Sequence, residues 1–90
     1  MKFRRAMLKV AKQARKDELI SRNEFFKVWV FLRCARAETL RELEGAVFEF
    51  LQVEGLIPPE ATLEGFDWES LIELLMTILP IIIELILIFI

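Results

Sequence analysis

Every position from Leu71 to Ile90 is apolar except Glu73, Thr77, Pro80 and Glu84. As an α-helix, a segment of this length rises about 30 Å, the thickness of a bilayer's hydrocarbon core. The four exceptions follow one another at intervals of 4, 3 and 4 residues. On a helix turning about 100° per residue they share a sector of roughly 60°. The segment therefore predicts one long hydrophobic helix with a single polar stripe. A simple tail anchor is one reading, with Glu73 interfacial at one end, but it has no need of two glutamates on one line. Glu84 lies about 9 Å inside the other end, and a carboxylate costs about 2.5–3.5 kcal/mol near mid-bilayer and less at this depth. The stripe Glu73, Thr77, Pro80 and Glu84 is thus expected to set register in an assembly. Pro80 withdraws the amide that the Met76 carbonyl would need and predicts a kink, which Thr77 on the same face is placed to shape.

The charge pattern divides the chain in two. All twelve Lys and Arg residues lie between Lys2 and Arg41, together with only four acids, Asp17, Glu18, Glu24 and Glu38, for a net +8. From Glu42 onward there are ten acids and no base, for a net −10. A chain so polarised calls for an anionic partner at its front half. If the tail spans a membrane, the bases place the front half on the cytoplasmic side. The hydrophobic content, 56%, exceeds the roughly 45–50% of ordinary globular chains, and the excess lies in the tail.

Residues 2 to about 18 read as a basic amphipathic helix. Lys2, Arg5, Lys9, Lys12 and Lys16 alternate spacings of 3 and 4, and Phe3, Met7, Val10 and Ala14 form a separate apolar face. Ser21 and Glu24 have the spacing of a capping box, with Ile20 and Phe25 at the staple positions, so a second helix is expected from Arg22 to about Ala37. Its stretch Phe26–Leu32 is rich in residues that favour strands, yet the cap and the lack of a partner strand favour helix. Apolar residues wrap most of its circumference, which makes it either a central element or a contact surface. Thr39 and Glu42 repeat the capping-box spacing before a third helix that ends at Gly55, where Leu56 folds back and Pro58-Pro59 forbids continuation. Asp67 is positioned to cap the final helix, with Phe66 and Leu71 as its staple pair. Trp68 stands where an interfacial aromatic would precede a membrane span.

The expected fold is all-α: a short N-terminal module of three helices over residues 1–55, a linker over 56–66, and a long hydrophobic C-terminal helix over 67–90. Catalysis is not expected. There is no histidine, which removes the usual base at neutral pH and the usual zinc ligands. Cys34 is the single cysteine, read as a small buried hydrophobe in a reducing compartment rather than a nucleophile. No phosphate-cradling glycine loop is present, and neither a cofactor nor a small-molecule substrate is expected. No apolar core of a secretory signal follows the basic start.

In general build, a basic head, an acidic hairpin and a striped hydrophobic tail, the chain resembles small phage-encoded membrane and virion proteins. That resemblance implies a structural role. The expectation is a non-enzymatic assembly protein that forms homo-oligomers through its C-terminal helix at a membrane. Lys2, Arg5, Lys9, Lys12 and Lys16 would dock it to anionic lipid, to nucleic-acid phosphate without sequence reading, or to a neighbouring subunit. One alternative is a holin-like pore with rings of Glu73 and Glu84 about 16 Å apart. Another is a helical subunit buried in a virion or similar particle.

Overall fold

Helix α1 (Lys2–Lys16) owes its place at the centre of the molecule to one side of its surface. Phe3, Ala6, Met7, Val10, Ala11 and Ala14 are each 0% exposed. Three alanines among the six let neighbouring helices approach its backbone closely, while Phe3, Met7 and Val10 fill the gaps between them. Against this surface pack α2 (Arg22–Cys34), a 3-10 turn (Trp68–Leu71) and α4 (Ile72–Thr77). Helix α3 (Ala37–Val53) packs chiefly on α5 (Leu79–Phe89). The computed structural model describes residues 2–89; Met1 and Ile90, the end points of the expected module and tail, lie outside the described residues. All regular structure among these residues is helical, in agreement with the all-α expectation.

The chain between α1 and α2 turns on backbone capping. Leu19 donates to the Ala14 carbonyl (2.8 Å) and Glu18 to that of Arg15 (3.2 Å), the double bond pattern of a left-handed helix stop. Helix α2 then starts at its capping box. The Ser21 hydroxyl accepts from the Glu24 amide at 3.1 Å, and the Glu24 carboxylate accepts from the Ser21 amide at 3.0 Å. Helix wins over strand in Phe26–Leu32 because Val28 and Leu32, four apart, are the positions that dock into the core.

Helix α3 starts earlier than its expected cap. Arg36 is the N-cap residue, its side chain makes no capping bond, and Thr39 lies inside the helix. The corner between α2 and α3 is only Ala35-Arg36, and the Arg4 guanidinium donates to the Ala35 carbonyl at 2.7 Å. This tertiary bond holds the corner, and Ala37 and Glu38 fill the first turn without help from Thr39. The other end follows the sequence. Gly55, at φ +68°, donates to Gln52 (3.0 Å) and Leu56 to Leu51 (2.8 Å).

The long C-terminal helix does not form. Its segment is the 3-10 turn followed by α4 and α5, with the run Trp68–Thr77 bent by 97° against Leu79–Phe89. Two devices break the rod. Thr77 Oγ1 donates back to the Glu73 carbonyl at 3.1 Å, competing with the helical ladder. Pro80 then falls in the first turn of α5, where a missing N–H costs nothing, but it bars fusion with α4. Asp67 is no side-chain cap; it accepts the Ser70 hydroxyl at its own carbonyl, 2.8 Å. No single helix among the described residues is long and apolar enough to cross a membrane.

The bend lets the segment serve the core on both arms. Leu75, Ile78, Leu79, Ile82 and Ile86 are buried in one cluster with the buried residues of α1, α2 and α3. The radius of gyration is 12.3 Å, against about 12 Å for a close-packed chain of this length, so no arm protrudes. Residues 56–66 form no helix and are tied down by buried Ile57, by the Gln52 side chain donating to the Ala61 carbonyl (3.2 Å), and by Phe66 set edge-on against Phe48 (5.1 Å).

Candidate functional site

Burial of one side of α1 forces its cations onto the other. Lys2, Arg5, Lys9, Lys12 and Lys16 are all exposed and run along the outward surface of the helix, so the fold brings together the five residues singled out by spacing. The row is partly answered from within the chain. Glu69, in the 3-10 turn, stands 3.4 Å from the Lys9 ammonium and 3.9 Å from the Arg5 guanidinium. Exposed pairs of this kind contribute about 0–1 kcal/mol, so they orient the two cations without neutralising the row. No ion pair among the described residues joins the row to α3, whose acids Glu38, Glu42 and Glu49 are exposed on their own face.

The other half of the row is open. Lys9, Lys12 and Lys16, with Gln13 and Ile72, line a shallow groove of about 530 Å³. Lys12 and Lys16 form no ion pair among the described residues. What such an arrangement can do chemically is electrostatic: residues four apart on a helix have Cβ atoms about 6 Å apart, so Lys12 and Lys16 offer two neighbouring ammonium donors.

The stripe residues have a different setting. Glu73, Thr77, Pro80 and Glu84 are all exposed, on the outer side of the bent α4–α5 pair. The 97° bend sets Glu73 and Thr77 on α4 and Pro80 and Glu84 on α5, so the four do not form the single stripe of a straight helix, and neither glutamate is buried. Glu73, Thr77 and Pro80 line a groove of about 560 Å³ with Leu19, Ile20, Met76 and Leu79.

Trp68 is 1% exposed. Its ring meets Phe3 at 4.9 Å and Phe66 at 4.8 Å, both edge-on, and its indole N–H donates to the Glu44 carboxylate at 2.8 Å. Tryptophan is built for that position, with a large apolar body and one polar handle to satisfy. It locks the 3-10 turn to α1 and α3, and thereby places Glu69 beside Lys9.

One feature escaped the sequence and another was legible only in outline. Glu69 had no periodic signal; only its position next to a buried tryptophan aims it at α1. Phe26 and Val30 had a signal, an apolar pattern wrapping α2 more widely than one buried face can use, and the structure leaves them 67% and 40% exposed. No family model, curated protein or solved structure matches the chain.

Proposed function

We propose that the chain is a non-enzymatic, peripheral docking protein that binds an anionic lipid surface through the cationic row of α1. The observation that carries this reading is the outward alignment of Lys2, Arg5, Lys9, Lys12 and Lys16 on a helix whose other side is wholly consumed by the core. A row fixed on a rigid central helix presents its charges to a plane without having to fold first, which keeps the ordering cost of docking low. The bent tail supports the peripheral part of the reading. Leu75, Ile78, Leu79, Ile82 and Ile86 are used in the chain's own core, while Glu73, Thr77, Pro80 and Glu84 are exposed, as are Leu87 and Ile88 near the end of α5.

Each cation near an anionic membrane is worth about 1 kcal/mol at moderate salt. Replacing two of the residues that form no ion pair among the described residues, Lys12→Ala with Lys16→Ala, is therefore expected to cost about 2 kcal/mol, or roughly thirtyfold in affinity. Sedimentation with vesicles containing anionic lipid measures this directly, and binding should also fall steeply as salt rises. Equal binding of wild type and the double variant at low salt would remove the row from the mechanism. Binding to duplex DNA but not to vesicles would replace lipid by nucleic-acid phosphate as the partner.

A further inference from the structure

The outward face of α2 has the chemistry of a surface that enters lipid, and it is distinct from the row on α1. Phe26, Val30 and Cys34 follow one another at intervals of four and are all exposed, so they form one line along the helix. At the end of that line Val30, Phe31 and Cys34 share a groove of about 340 Å³ with Phe89 of α5. Around Phe26, Val30 and Phe31 lies a second concavity, of about 300 Å³, in which Lys27 supplies the margin. Scattered exposed apolar residues are ordinary, but an aromatic 67% exposed at the head of a continuous apolar line marks an interaction surface.

Charge selects the occupant. Helical spacing sets Arg22 and Arg33 on one margin of the line and Lys27 on the other, all exposed. The one acid of α2, Glu24, is engaged with the Ser21 amide in the capping box. An apolar centre with cationic margins is the pattern of a helix lying in the headgroup region of an anionic bilayer, the ring and branched side chains below the phosphates and the cations level with them. A second copy fits worse. A two-fold contact through this face sets each cationic margin near its own counterpart, and the exposed face of α3 offers glutamates with no large apolar surface to receive Phe26.

We infer that the outer face of α2, centred on Phe26 and Val30, inserts into the headgroup layer of an anionic membrane. The inference shares its partner with the docking reading above, but it does not depend on the cationic row. The row would act at a distance through charge, and the α2 face at contact through apolar burial.

Cys34 is exposed and not buried as its sequence predicts, because it falls on the line of Phe26 and Val30 rather than on that of Val28 and Leu32. It is the only cysteine, so a polarity-sensitive fluorophore attached there reports contact without any substitution. With vesicles containing anionic lipid, its emission should shift to the blue and become quenched by brominated acyl chains. Phe26→Ser with Val30→Ser, both surface changes, should abolish the shift and weaken binding by about tenfold or more. A labelled protein that sediments with vesicles while its probe remains aqueous overturns the inference and leaves docking by α1 standing. A Lys12→Ala, Lys16→Ala variant that binds as wild type with a blue-shifted probe does the reverse. A blue shift that grows with protein concentration in the absence of vesicles assigns the face to a second copy and also overturns the inference.

Discussion

Glu18 carries a positive φ, +60°, the one such non-glycine residue among those described. It occupies the left-handed position that stops α1, where a Cβ is held against its preference at about 1–2 kcal/mol. The corresponding position after α3 holds Gly55 at φ +68°. Glu18→Gly should therefore stabilise the protein by about 1 kcal/mol, raising its melting temperature by roughly 4–8 °C. Thermal unfolding followed by circular dichroism reads this, and an unchanged or lowered midpoint would show that the Glu18 side chain does something the backbone geometry hides. Trp68 teaches the complementary lesson. Its place next to a hydrophobic segment suits a membrane interface as well as a core, and nothing local separates the two. Only the approach of Phe3 and Glu44, both remote in sequence, decides it.

At the level of elements, the local signals that succeeded are those whose partners lie within one turn. The Ser21–Glu24 box and the Gly55 stop are closed by neighbouring amides and carbonyls, so the sequence alone specifies them. The Thr39–Glu42 spacing is identical and forms no cap, because Arg4 reaches from α1 to hold the corner before it. Ser21→Ala should then cost about 1 kcal/mol, whereas Thr39→Ala should stay within about 0.5 kcal/mol. Urea unfolding of the two variants side by side checks the contrast; equal losses would contradict the assigned caps. The tail obeys the same logic. Its stripe was legible from spacing, and Pro80 flagged a kink. The full 97° bend was not legible, since it depends on what the two apolar arms find to pack against.

For the whole molecule, the decisive fact is where the tail's apolar surface goes. Alpha-helical periodicity shows that Leu75, Leu79, Ile82 and Ile86 avoid the stripe, but the same pattern serves a lipid-facing rod and a core helix equally well. The cationic row was legible because charge on one side of α1 has no core role to compete for it. The α2 face was legible only as an excess of apolar residues. Together these features underlie the proposed docking by charge and contact, while Leu75, Ile78, Leu79, Ile82 and Ile86 of the tail pack in the chain's own core. Carbonate extraction of membranes carrying the wild-type chain tests that description most directly. The account predicts release into the supernatant with the peripheral proteins; retention in the membrane pellet would contradict it.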